Sequence, residues 1–171
     1  MNDENKAFEP TFCENYPKHI IVIRWITLLI AFVLGIYVLL ELHYMLAIVY
    51  ILYSVTALTL ILPLSRCVSC FYHGRLCNTG WGRIAFYLFK KGDESKYVEH
   101  YNYAIFLHLL WLFPLLGALL QLVRKRDVLV LSILVIYLFI LFVEKIVLKK
   151  LCCKRCHQRE FCPALPFRKI K

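Results

Sequence analysis

Four apolar stretches, at residues 20–40, 45–64, 103–123 and 128–148, constrain this chain more than any other feature of it. The hydrocarbon core of a bilayer is about 30 Å thick and takes about 20 helical residues to cross. Each stretch is long and apolar enough to do so. With 61% hydrophobic residues in 171 and a mean hydropathy of +0.64, the chain is far more apolar than one soluble domain requires. The expected fold is all-α: a polytopic membrane protein with four transmembrane helices arranged as two hairpins, each followed by a cysteine-rich cytoplasmic segment.

The first stretch follows Lys18 and has the outline of a secretory signal, but it is too long and no small-residue cleavage site ends it. It runs on through Glu41, Leu42 and His43 into the second stretch, so the amino-terminal segment is expected to be retained. The segments are then a tail (1–18), a first hairpin (19–64), a cysteine loop (65–102), a second hairpin (103–148) and a cysteine-rich tail (149–171). Residues 19–92 and 93–171 form two halves with the same plan. A duplication related by a pseudo-twofold axis along the membrane normal would make the two cysteine segments face each other; two convergent metal loops are the alternative.

Lysine and arginine bias sets the orientation. Lys6, Lys18, Arg66, Arg75, Arg83, Lys90, Lys91, Lys96, Lys149, Lys150, Lys154, Arg155, Arg159, Arg168, Lys169 and Lys171 share one side, sixteen positives against the three of Arg124, Lys125 and Arg126. Both termini and both cysteine segments are therefore expected in the cytoplasm, at the inner membrane of the cell. A basic rim against anionic headgroups accounts for the net charge of +10. No nucleic-acid module is present, and the expected partners are the lipid bilayer and a cytosolic protein. The basic carboxyl end also has the look of a dilysine-type retrieval signal.

Six of the eight cysteines fall in two similar groups, Cys67, Cys70 and Cys77, then Cys153, Cys156 and Cys162. Each group is a C-x2-C followed by a third cysteine, with an arginine in the gap (Arg75, Arg159) and a histidine nearby (His73, His157). C-x2-C lets two sulfurs reach one ion from a tight turn, and a later cysteine or histidine completes a tetrahedron. His73 and His157 are the candidate fourth ligands, with Cys152 as a competitor. In the reducing cytosol such thiols are metal ligands or active groups rather than structural disulfides. Zinc is placed ahead of an iron–sulfur cluster, for which Cys162 followed by Pro163 is the one local hint.

The leading function is a metal-binding or electron-transfer membrane component. A membrane thiol oxidoreductase is the first alternative, because four helices with C-x2-C resemble in outline the quinone-coupled disulfide oxidoreductases of the DsbB and vitamin K epoxide reductase type. Those enzymes work their cysteines toward the oxidising side, and the likeness ends at C-x2-C. A structural subunit whose zinc stabilises its loops is the second alternative. The chain has no phosphate-cradling glycine loop, no G-x-S-x-G and no H-E-x-x-H.

Few polar residues enter the spans. Arg24, Glu144 and Lys145 are each placed to snorkel to the surface, and Arg24 with Glu144 is the pair to test. No acid or strong base reaches the bilayer centre, which disfavours an ion-coupled transporter. His108 is expected to bond a tyrosine or threonine of a neighbouring helix rather than haem. Pro114 with Gly117 should free backbone carbonyls in the third span. Residues 83–91, apolar in the middle and basic at both ends, make either a helix in the membrane surface with Trp81 at headgroup depth or a segment covering the bundle. Gly92 should stop that helix, and Asp93 or Ser95 cap the next. Cys13 has no evident role.

Overall fold

A computed structural model describes residues 13–125, 128–160 and 162–163. Among the orientation residues, Lys6, Arg126, Arg168, Lys169 and Lys171 lie outside these ranges, so the retrieval signal does too. The described residues are helical, with no strand among them. Helix α1 (Lys18–Leu42) passes through one extended residue, His43, into α2 (Tyr44–Thr56), which runs on through π-helical turns at Ala57–Ile61 and Pro63–Cys67. A short α3 (Trp81–Leu88) follows, then α4 (Tyr97–Tyr101), α5 (Ile105–Lys125) and α6 (Val128–Val147). A π-helical turn at Leu148–Cys152 extends α6.

Four helical runs, Lys18–Leu42, Tyr44–Cys67, Glu94–Arg124 and Val128–Arg155, are long and apolar enough to cross a membrane. Most of their leucine, isoleucine, valine and phenylalanine side chains point outward. That arrangement is compatible with a multi-pass membrane protein, since in water it would expose far more apolar surface than a soluble fold tolerates.

Helix α1 is the hub, packing against α2, α5 and α6. Without a hydrophobic drive between helices in lipid, close backbone approach must supply the contact, and small residues allow it. A Cβ on Gly35 would sit 2.8 Å from Pro114 Cγ, and one on Gly117 would sit 2.9 Å from Leu39 Cδ2, so α1 and α5 touch at two glycines. Leu39, Tyr50, Leu62, Leu107 and Leu110 fill the centre with Ala47, Ala57 and Ala104.

The carbonyl freed by Pro114 is the one four residues earlier, that of Leu110. Tyr50, buried on α2, donates its hydroxyl to this carbonyl at 3.1 Å. Tyr137 of α6 does the same for Trp111 at 3.1 Å. Gln121, a buried amide that the sequence reading passed over, donates to the Val38 carbonyl at 2.7 Å. Three polar side chains thus satisfy main-chain oxygens where water is excluded.

Three expectations need correction. Arg24 and Glu144 do not snorkel: both are buried, and they pair with each other, Nη2 to Oε1 at 2.6 Å and Nε to Oε1 at 2.8 Å. A charge that packing buries needs a paired partner, and each of the two supplies the other's. His108 is exposed and bonds the carbonyl of Ala104, one turn earlier in its own helical run, at 3.2 Å. The short helix also differs from expectation. It stops at Leu88, where Phe89 becomes extended, four residues before Gly92. Asp93 does cap the following turn, accepting from the Ser95 amide at 2.9 Å.

Candidate thiol centre

Each C-x2-C begins where a spanning helix widens into a π-turn. The Val68 amide reaches back five residues to the Pro63 carbonyl at 2.9 Å, and the Cys153 amide bonds the Leu148 carbonyl in the same pattern. A π-turn adds a residue to the helical circuit, which rotates the cysteines that follow relative to the span below. The two motifs then fold alike. Cys70 N–H donates to Cys67 at 3.2 Å and His73 N–H to Cys70 at 3.0 Å; Cys156 N–H donates to Cys153 at 3.4 Å and Arg159 N–H to Cys156 at 3.1 Å. The same two turns recur at the same offsets from the second cysteine.

The motifs also face each other. Phe71 and His157, each one residue after the second cysteine, stack with ring centroids 3.8 Å apart and planes 5° from parallel. Tyr72 and Gln158, each two residues after it, both reach across. The Tyr72 hydroxyl accepts the His157 amide at 3.1 Å, while Gln158 Oε1 accepts the Cys70 thiol at 3.1 Å. Contact between like positions is what a local twofold axis requires, because each residue on the axis meets its own counterpart.

Residues 13–17 fasten the two motifs from the outside. Cys13 N–H donates to Arg155 at 2.9 Å, Tyr16 N–H to Leu76 at 2.9 Å, and Leu76 N–H to Asn15 Oδ1 at 3.0 Å. Tyr72 donates its hydroxyl to the Cys13 carbonyl at 2.6 Å, and Tyr16 donates to the Cys152 carbonyl at 2.7 Å. The sequence reading gave Cys13 no role; its backbone is one of the fastening points. Tyr16, Tyr72, Cys77 and Cys152 form a buried cluster, with Cys70 and Cys156 packed against it. Cysteines of both motifs therefore belong to one buried cluster.

Not every proposed ligand points into that cluster. His73 turns its Nε2 to the Phe89 carbonyl at 3.1 Å and sets its ring against Phe86. His157 is held in the stack on Phe71, whose ring also carries the Arg75 guanidinium 4.5 Å from its centroid. Cys77 accepts the Gly82 amide at 3.1 Å and lies 3.2 Å from the Thr79 hydroxyl. All eight cysteines are free thiols. Among the described residues, no group of three or more cysteine, histidine or acidic side chains stands close enough to hold a metal ion.

Burial sets the acidity of these thiols. Cys70 is pushed up to about 12 by desolvation first, with repulsion from Cys77, Cys156 and Cys162 adding to it. Cys156 is also raised, again chiefly by burial, against the Gln158 amide, which favours its thiolate. Tyr72 is pushed up to about 12 by burial. Burial therefore favours the protonated thiol at Cys70 and Cys156.

Tyr16, Tyr72, Asn15 and Gln158 are the site residues that sequence reasoning missed. A signal for two of them existed: Tyr72 and Gln158 occupy the same offset in the two motifs. Comparison with known families, curated proteins and solved structures finds no match to this chain.

Proposed function

We propose that the chain is a multi-pass inner-membrane protein of two helical hairpins, whose two cysteine segments form a single thiol centre at the cytoplasmic surface that takes a soft or borderline metal, zinc before an iron–sulfur cluster. The protein is then a metal-binding or electron-transfer membrane component. The observation that supports this reading is the pairing of like positions, Phe71 on His157 at 3.8 Å, with Cys70 and Cys156 packed against one buried cluster. One shared site follows from that placement more simply than two separate ones.

The acidity of the thiols supports a metal over thiol exchange. An attacking cysteine needs a depressed pKa in an electropositive, accessible place. Cys70 and Cys156 are shifted the other way by burial. A bound cation reverses that balance, since a coordinating thiol loses its proton outright. Loading would draw the sulfurs in to about 2.3 Å from the ion, the usual Zn–S length, from the looser packing described above.

Metal analysis of anaerobically purified Cys70→Ser and Cys156→Ser tests the reading. Each substitution should remove most of the metal. A loss of about half from each indicates two independent sites, and a wild-type protein without stoichiometric metal overturns the proposal. Visible charge-transfer absorption would assign iron, and a colourless stoichiometric metal would assign zinc.

A pH series gives a second check. With a folded value of about 12 against an ordinary 9.0, Cys70 keeps its proton more firmly in the folded state. Its contribution to stability is complete below pH 9.0 and is lost as pH rises toward 12. Metal-free protein should therefore lose thermal stability across that alkaline window. Metal-loaded protein, with the proton already displaced, should lose much less there.

A further inference from the structure

Helix α3 has the wrong exposure for a covering segment. Its inward face is Gly82 and Ala85, both buried, with Gly82 fitted so closely that a Cβ would clash with the Tyr72 and Arg75 carbonyls. Its outward faces carry Ile84 at 44% exposure, Phe86 at 60%, Tyr87 at 75% and Leu88 at 54%. Four large apolar side chains in five residues, all turned away from the protein, require a cover. Arg83, Lys90 and Lys91 are exposed at the two ends of this patch, Lys91 in an exposed ion pair with Glu94 at 2.7 Å that solvent screens and a phosphate can displace.

The cover's depth is marked by tryptophan. Trp81, at the start of α3, lies 6.3 Å from Trp25 of α1, and Trp25 donates its indole N–H to the Thr79 carbonyl at 2.9 Å. Trp25 is seven residues into a spanning helix, about 10 Å along it at the usual rise. The beginning of α3 is thus held at the level of the first turns of a spanning helix. Beside the helix a depression of about 630 Å³ opens between His73, Arg75, Phe86, Lys90 and Lys91. It joins basic side chains to the apolar surface at one edge.

We propose that α3 and residues 89–91 lie in the membrane surface and gather anionic phospholipids, with acyl chains against Ile84, Phe86, Tyr87 and Leu88 and headgroup phosphates at Arg83, Lys90 and Lys91. Charge complementarity selects this occupant: a basic border around an apolar face fits an anionic leaflet. The inference rests on the membrane reading and is independent of the metal. It adds lipid selection to a protein whose spans alone would accept any lipid of suitable thickness.

Two measurements on the full chain in nanodiscs of phosphatidylcholine and phosphatidylglycerol test it. A benzophenone amino acid replacing Tyr87 should photocrosslink to phospholipid, detected as a lipid mass adduct. Crosslinking to protein, or none at all, overturns the proposal. The triple variant Arg83→Glu, Lys90→Glu, Lys91→Glu should reduce enrichment of phosphatidylglycerol among co-isolated lipids, by up to about fivefold for each residue at the usual strength of such contacts. High salt should reduce it in the wild type as well. Enrichment that is unchanged in the triple variant overturns the selection of anionic lipid even where the crosslink forms. Neither readout depends on bound metal.

Discussion

The two cysteine motifs share a backbone and differ in what holds it. After Cys70 the first motif is locked by its own loop. Gly74 and Gly80 adopt positive φ of 81° and 77°, the Gly74 amide bonds the Gly82 carbonyl at 2.9 Å, and Gly82 N–H donates to Cys77. After Cys156 the second has no glycine, and among the described residues it takes support from elsewhere: Tyr72 and Phe71 of the first motif, and the amino-terminal segment through Cys13 and Tyr16. One motif is a platform, held by its own loop together with α1 and residues 13–17, and the other is docked onto it. Disturbing the platform should therefore damage both, whereas disturbing the docked motif should leave the platform standing.

The largest effect is expected from Gly82→Ala. Its Cβ would lie 2.2 Å from the Tyr72 carbonyl oxygen and 2.7 Å from that of Arg75, both main-chain atoms that cannot step aside as a side chain does. Overpacking of this kind costs more than about 3 kcal/mol when backbone must move. Thermal unfolding in detergent should show a large drop in midpoint, and the thiols of both motifs should become reactive to maleimide. A variant in which only the first motif gained reactivity would break the platform-and-dock relation.

Next comes the ion pair that links the motifs beneath the surface. Arg24 bonds Glu144 on the helix leading to the second motif and donates to the Asn78 carbonyl of the first loop at 3.4 Å, while Thr27 lies 3.5 Å from Glu144 Oε2. Removing one partner leaves a buried charge uncompensated, a loss of about 3–5 kcal/mol, whereas replacing both by apolar residues is often near neutral. Glu144→Gln should destabilise strongly. Arg24→Met with Glu144→Leu should recover most of the loss, and a double variant as unstable as the single would show that Asn78 is the partner that matters.

Much of the scaffold was legible in the sequence. The spans at 20–40, 45–64, 103–123 and 128–148 each fall within an observed helical run, because the apolar length that crosses a bilayer is a local property of the chain. Arg24 with Glu144 was legible because charges in apolar segments have so few alternatives. The thiol site was legible only in part. Spacing exposed the C-x2-C turns, but the directions of His73 and His157 depend on Phe89 and Phe71, which only the folded chain brings near. The fastening by residues 13–17 runs mostly through main-chain groups, which every residue carries, so no residue type announces it. Gln121 was hidden for the opposite reason: one amide among leucines reads as an exception until its carbonyl partner is seen.

The smallest and sharpest test compares the two residues at the shared offset. Tyr72→Phe removes a hydroxyl that both donates to Cys13 at 2.6 Å and accepts from His157 at 3.1 Å, leaving a carbonyl and an amide to find other partners. Its cost should be about 1–3 kcal/mol, the range for stranding buried polar groups. Gln158→Leu strands only a thiol, a weak donor, and the Ser69 carbonyl 3.5 Å away, so it should cost about 1 kcal/mol or less. Protease digestion adds the direction of the effect. Tyr72→Phe should speed cleavage within residues 13–17, since Tyr72 holds that segment to both motifs, and Gln158→Leu should not. Equal effects from the two substitutions would mean that the offset is a symmetric contact, and that neither motif is the platform for the other.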